Sequence, residues 1–127
     1  MPRYIGPMGS FRVAVEVANV SGGRFERMEA LVDTGATYTW APRDLLDRLG
    51  AHPEEEWPFV LADGREVTYS IGPLRLRYTG RTRATVVVFG EPQSEPLLGV
   101  VTLEELGLAA DPVNRRLIPV PGLLKLA

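Results

Sequence analysis

The stretch Leu31-Val32-Asp33-Thr34-Gly35-Ala36-Thr37 puts a carboxylate at the end of an apolar run and follows it with a Thr-Gly turn. Burial makes an ionised Asp costly, so an acid placed here is paired, put to use, or part of a turn. The glycine lets the backbone turn sharply and lets a second backbone come close. The plain alternative is an ordinary turn, since Asp, Thr and Gly are all turn formers. Few other side chains could do chemistry. There is no cysteine, which removes disulfides, thiol catalysis and thiolate metal sites and leaves the redox compartment open. The one histidine, His52, follows Leu49-Gly50-Ala51 just past an expected helix end, where it reads as an exposed loop residue. A His-rich metal site is excluded and no cofactor is expected. Catalysis would fall to carboxylates or hydroxyls. Of the five aspartates, Asp44 and Asp47 fall on an expected helix, Asp63 at a turn tip and Asp111 before Pro112; only Asp33 follows an apolar run into a glycine turn.

The elements that must position Asp33 can be read along the chain. Phe11, Val13, Val15 and Val17 alternate with Arg12, Ala14, Glu16 and Ala18, the period of a half-buried strand. Asn19-Val20-Ser21-Gly22-Gly23 turns the chain, and residues 25–32 return as a second strand, so the Asp-Thr-Gly turn follows a hairpin. Tyr38, Thr39 and Trp40 favour a strand. Pro42 suits the first turn of a helix over residues 42–49, with Gly50 as its stop. Residues 52–58, with Glu54-Glu55-Glu56, read as an acidic, solvated loop. Phe59-Val60-Leu61 and Glu66-Val67-Thr68-Tyr69 flank Ala62-Asp63-Gly64-Arg65, a hairpin signal. Leu74, Leu76 and Tyr78 alternate with Arg75, Arg77 and Thr79 as a separate strand with a basic outer face. Gly80-Arg81 turns, residues 84–89 form a central apolar strand, and residues 91–96 an exposed loop. After Leu97-Leu98-Gly99 comes a helix that Thr102 and Glu105 begin as a capping box and Gly107 ends. Val113, Asn114-Arg115 and Leu117-Ile118 read as a last hairpin, and Pro119 and Pro121 hold the chain after it to an edge.

A length of 127 residues suits one domain, 1–127, with terminal arms at 1–10 and 121–127. The first ten residues read as a loose arm or edge strand. The hydrophobic share of 45% and charged share of 24% are those of a soluble globular protein. A net charge of -2 makes no electrostatic case for nucleic acid or an anionic membrane. Thirteen of the 14 basic residues are Arg, a bias that genome composition or heat adaptation would each produce. Residues 1–7 lack the apolar core of a signal peptide, and no stretch approaches the ~20 apolar residues of a membrane span. The expected location is the cytoplasm.

Two segments echo each other. An apolar pair and Asp33-Thr34-Gly35 lead to a helix ending in Leu49-Gly50; Leu97-Leu98-Gly99 leads to a helix ending in Leu106-Gly107. This suggests a domain built from two related halves, of which one carries an acid. The order of Asp33-Thr34-Gly35-Ala36-Thr37, the Asp63-Gly64 hairpin, Leu97-Leu98-Gly99 before a helix, and a closing run from Asp111 to Leu117 resembles the retropepsin-like aspartic proteases, the last run being similar to small bacterial members. The match covers residues 11–120. The resemblance implies a mostly β fold, a closed antiparallel β-barrel with one or two short helices, whose active site forms between two copies. It implies Asp33 as the catalytic acid, Thr34 bonding across the dimer, and Gly35 presenting backbone to a peptide or protein substrate. It also implies that Ala36 and Thr37 border the substrate and that Ala62, Asp63, Gly64 and Arg65 form a flap tip over it. Retroviral members pair an Asp two residues after the triplet's Gly with an Arg just after the second apolar-Gly motif. Here those positions hold Thr37 and Val100, so both partners are replaced together.

The chemistry follows from two carboxylates. One must activate water and the other protonate the amide; two acids sharing a proton do both, because neighbouring like charges resist ionising together. Asp33 is the one suitable acid of its chain, so symmetry must supply the second. Two other readings stand beside this homodimeric endopeptidase: a dimeric barrel that binds peptides or unfolded segments without cutting them, and a structural or small-molecule-binding barrel with Asp33 as a turn residue.

Overall fold

The computed structural model describes residues 10–121; all but the inner residue of each arm expected at 1–10 and 121–127 lies outside them. β1 (Arg12–Ala18) and β2 (Glu26–Val32) form the expected antiparallel hairpin, Arg12 opposite Leu31 and Val17 opposite Glu26. Val15 and Val17 point into the core while Arg12, Ala14 and Glu16 are exposed, as a one-sided strand requires. β3 (Thr39–Pro42) runs into α1 (Arg43–Arg48), which buries Leu45 and Leu46. Beyond it lie β4 (Glu55–Val60), β5 (Glu66–Tyr78), β6 (Arg81–Gly90), β7 (Leu97–Leu98), α2 (Val100–Glu105), β8 (Leu108–Asp111) and β9 (Arg116–Pro119).

The pairings return on themselves. β1 pairs with β2, β2 with β7, β7 with β3, β3 with β6, β6 with β5, and β5 with β1 again; β4 hangs outside this ring on β5. Most contacts are antiparallel, but β2–β7 and β3–β6 are parallel. The protein is therefore mostly β with two short helices. Inside the ring, Val15, Val17, Leu46, Leu74, Leu76, Val87, Leu98, Leu103 and Leu106 are almost wholly buried. Truncating one of these leucines to Ala would cost about 2–5 kcal/mol. On the outer face of β5, Arg75 and Arg77 lie over the Phe25 ring, at 4.8 and 3.8 Å from its centroid, and Arg77 pairs with Glu16 at 2.9 Å. No helix among the described residues is long and apolar enough to cross a membrane.

Five local expectations change. The acidic segment expected as a loop is in strand from Glu55 onward: Glu55, Glu56, Trp57 and Pro58 pair with Ile71, Ser70, Tyr69 and Thr68. The pairing partner supplies what local propensity does not, since the Glu side chains stay in solvent while the backbone joins the ladder. The strands expected on either side of Gly72-Pro73 are one, β5, which pairs with β4 through Ile71 and with β6 from Ile71 onward. Gly72 fits because a Cβ there would stand 2.7 Å from the His52 carbonyl oxygen. Pro42 is the last residue of β3, opposite Gly90, and caps α1 with extended backbone rather than filling its first turn. The Thr102–Glu105 capping box does not form. Gly99 is the N-cap of α2 with no side-chain cap bond, and Thr102 lies inside the helix with its side chain buried. The last hairpin is present as β8–β9, with Val113 in its exposed turn rather than in a strand.

The internal echo has a geometric counterpart. α1 and α2 each run six residues and end on a C-cap Leu of nearly equal geometry, Leu49 at φ -81, ψ -6 and Leu106 at φ -83, ψ -5. The glycines that follow have φ +72 and +68. The halves differ in what precedes the helix: β3 intervenes between the Asp33 turn and α1, whereas α2 follows directly on Gly99.

Candidate active site

Asp33 is the first residue past β2, and its position is set by backbone on two sides. Its N–H donates to the Leu98 carbonyl at 3.1 Å, one step beyond the parallel pairs Leu31–Leu97 and Val32–Leu98. Its own side chain closes the turn, with Oδ1 accepting the Gly35 N–H at 2.9 Å, while its carbonyl accepts the Ala36 N–H at 3.1 Å. Asp33 as a residue is half-buried; Thr34 and Gly35 are exposed. The Thr34 hydroxyl has no hydrogen-bond partner among the described residues.

The turn is also the cap of α2. The first N–H groups of a helix lack partners inside it and must find them elsewhere. Here the Val100 N–H donates to the Ala36 carbonyl at 2.9 Å, the Val101 N–H to the Thr37 carbonyl at 3.0 Å, and the Gly99 N–H to Thr39 Oγ1 at 3.1 Å. Thr37, in the turn, and Val100, the first residue of α2, thus sit in neighbouring segments of this strap with no charge to satisfy. The approach is close enough to require glycine at 99, since a Cβ there would meet the Thr37 carbonyl oxygen at 2.7 Å. At its far end α2 is closed by two arginines of β6: Arg81 Nη1 donates to the Leu106 carbonyl at 2.7 Å and Arg83 Nε to the Glu105 carbonyl at 3.1 Å.

A groove of about 550 Å³ opens over Asp33. Its floor is Asp33, Gly35, Ala36, Thr37 and Leu97, and its wall is the outer strand of the β4–β5 hairpin, from Trp57 to Ala62. Tyr38 and Trp40 join floor to wall. Trp40 packs on Phe59 and Tyr69 at centroid distances of 5.6 and 4.9 Å, and Tyr38 meets Phe59 edge-on at 6.4 Å. Of the residues that the sequence marks for substrate, Ala36, Thr37 and Ala62 line this groove with Asp33 and Gly35. Thr34 does not, and Asp63, Gly64 and Arg65 stand at the exposed hairpin tip. The tip is held by Leu61 N–H to the Arg65 carbonyl at 2.8 Å and by an Asp63–Arg65 ion pair at 2.7 Å, with Gly64 at φ +88. Trp57, Phe59, Tyr38 and Trp40 went unmarked in the sequence. Their signal was an aromatic density on both sides of the hairpin, hidden by assigning Trp57 to the acidic loop.

Among the described residues Asp33 is the one carboxylate lining the groove. Three other aspartates are committed to turns and ends. The Gln93 N–H donates to Asp44 and holds its pKa below the ordinary value. The Arg65 N–H does the same for Asp63, and the Asn114 side chain for Asp111. Asp47 is exposed on α1, and His52 is exposed as expected. Among the described residues no three His, Asp or Glu side chains gather as a metal ion would need.

A ring of β-strands with an acid turn strapped to a short helix and roofed by a hairpin is the architecture of the retropepsin-like aspartic proteases. A family model described as aspartyl protease matches residues 13–102, and the chain belongs to that family. Two solved structures show the same fold. The foamy viral protease-reverse transcriptase, solved in complex with an RNA/DNA hybrid, matches with a TM-score of 0.59 and 18% identity over 93% of this chain, which spans only 13% of that protein. The EIAV protease, complexed with the inhibitor HBY-793, matches with a TM-score of 0.54 and 20% identity over 76% of this chain and 86% of its own. No curated protein matches the sequence.

Proposed function

We propose that this single-domain chain is an aspartic endopeptidase that works as a homodimer, each copy giving Asp33 to a shared dyad. The observation that carries this reading is the solitary carboxylate. Asp33 is fixed by backbone on both sides at the floor of a peptide-sized groove, and among the described residues no second acid lines that groove. One carboxylate cannot both activate water and protonate the leaving amide. A two-fold axis beside Thr34 would bring in the second, and the unpartnered Thr34 hydroxyls would then bond across it. The dyad would share one proton, its two titrations belonging to the pair. A water between the carboxylates gives its proton to the ionised one and attacks the scissile carbonyl; the protonated one then donates to the nitrogen as the C–N bond breaks. The substrate is an extended peptide held between the floor at residues 35–37 and the β4–β5 flap, with the tip at residues 62–65 closing over it. The apolar, aromatic lining equally suits a protein that binds peptides without cutting them.

One assay separates these. An unstructured protein is incubated at acid pH with the wild type and with Asp33→Asn. Cleavage by the first and none by the second is expected; binding of peptide by both with cleavage by neither would replace the reading by the non-catalytic one.

A further inference from the structure

The buried polar side chains among the described residues are three threonines, and they touch. Thr39 of β3, Thr85 of β6 and Thr102 of α2 are 0, 3 and 1% exposed. Thr39 Oγ1 lies 2.6 Å from Thr102 Oγ1, which lies 2.8 Å from Thr85 Oγ1. Hydroxyls taken from water cost free energy unless each finds a partner, and valine would fill much the same space without that cost. The chain of hydroxyls ends at the site: Thr39 Oγ1 accepts the Gly99 N–H at 3.1 Å, and the carbonyl of Leu98, one residue earlier, accepts the Asp33 N–H at 3.1 Å.

We propose that Thr102 is a positioning residue for Asp33, acting through Thr39 and anchored by Thr85. The hydroxyl chain gives the Leu98-Gly99 peptide one depth and one orientation in the ring. α2 has no side-chain cap of its own; its start rests on the close Gly99–Tyr38 backbone contact, on the Ala36 and Thr37 carbonyls and on Thr39, whose hydroxyl is the one side-chain group among the described residues that bonds the Gly99 N–H. An apolar contact at Thr102 is non-directional and would let the helix start slide; a bonded hydroxyl row admits one arrangement. With the helix start fixed, the Leu98 carbonyl holds Asp33 at the height at which two carboxyls from two copies would share a proton. The kinetic consequence rests on the proposed dyad; the fixing of the Asp33 backbone does not.

The test compares wild type, Thr102→Val and Thr102→Ser by amide hydrogen exchange and by peptide cleavage. In Thr102→Val the Asp33 and Gly99 amides should exchange about tenfold faster than in wild type, beyond any change in the β1–β2 ladder amides. Its kcat should fall by a similar factor with KM nearly constant. Thr102→Ser, which keeps the hydroxyl and loses a methyl, should restore both while melting below wild type. The proposal is overturned if exchange rises equally everywhere, if Ser fails to restore the local protection, or if KM rises while kcat holds. Should Thr102→Val not fold, the Ser variant decides: local protection kept at Asp33 and Gly99 despite a lower melting point supports the hydroxyl role, and loss of it refutes it. A wild type that cleaves nothing would remove the protease reading, while the exchange data would still decide the positioning.

Discussion

Gly99 lies against Tyr38 so closely that a Cβ on it would stand 2.4 Å from the Tyr38 carbonyl carbon and 2.6 Å from its oxygen. Both atoms are backbone, so neither can swing aside. This contact presses the start of α2 onto the strand that leaves the Asp33 turn. Gly99→Ala should therefore lower stability by about 3 kcal/mol or prevent folding. Gly35→Ala makes the contrast. Its Cβ would meet Asp33 Oδ1 at 3.2 Å, a side-chain atom that can move by a few tenths of an ångström. Gly35→Ala should fold with a loss under about 1.5 kcal/mol but disturb the carboxyl. Urea midpoints at constant slope check both. Equal losses would break the argument.

Asp33→Asn keeps the shape of the turn, since the amide oxygen can still accept the Gly35 N–H. It removes the ionisable group. The variant should fold, assemble and melt no lower than wild type, because two facing amides do not repel as two carboxylates do. Peptide cleavage should become undetectable, having lost roughly 10²- to 10⁴-fold for each proton transfer. Wild-type activity should be greatest below neutrality and vanish as alkali removes the shared proton. A folded Asp33→Asn dimer cutting at the wild-type rate would end the aspartic-protease reading.

Assembly is expected to be a two-fold dimer with residues 33–37 at its axis. Light scattering at micromolar concentration should give twice the chain mass, and activity should fall on dilution below the dissociation constant. An active monomer would contradict it.

The flap should respond to ligand. Phe59 is its anchor on Tyr38, Trp40 and Tyr69, with ring centroids 5.6–6.4 Å apart. A peptide-like inhibitor should slow amide exchange over residues 59–70, and Phe59→Ala should raise KM more than it lowers kcat by loosening the lid. Exchange unchanged by inhibitor would argue against a moving flap.

Acid should weaken the fold through its outer turns. Asn114 holds the Asp111 carboxyl below its ordinary value of 3.8, the Gln93 N–H does so for Asp44, and Arg77 holds Glu16 below 4.5. Each carboxyl is more acidic folded than unfolded, so the unfolded chain takes up protons first as pH falls. The stability these groups lend is full above their ordinary values of 3.8 and 4.5 and is lost as pH falls below them through the lowered ones. Glu16 is exposed and Asp44 and Asp111 are half-buried at the surface, so salt should shrink the effect, most of all for Glu16. Asp111→Asn should lose less stability than wild type across that fall in pH; an equal acid loss would refute the assignment.

Much of the strand order was legible because one-sided strands write their burial in every second residue: Val15 and Val17 in β1, Leu74 and Leu76 in β5. Glycine turns were equally plain, since Gly50, Gly64 and Gly107 take positive φ that other residues avoid. β4 was not legible. Glu55 and Glu56 are strand only because β5 offers a ladder, and nothing within six residues of them says so. Thr102 misled for the same reason. A Thr three residues before a Glu is a local capping signal, but two threonines far away in sequence, Thr39 and Thr85, claimed its hydroxyl.

By itself the sequence determined the acid turn at Asp33, its glycine, the hairpin before it and the absence of thiols, because these depend on residue types and on neighbours along the chain. Tertiary structure alone decided that the Asp33 turn caps α2, that the groove's wall is Trp57 and Phe59 rather than the tip at Asp63 and Gly64, and that β5 is one strand. Each of these is a pairing between segments distant in sequence, where the free energy of a ladder, a close backbone contact or a shared hydroxyl outweighs what any local pattern prefers.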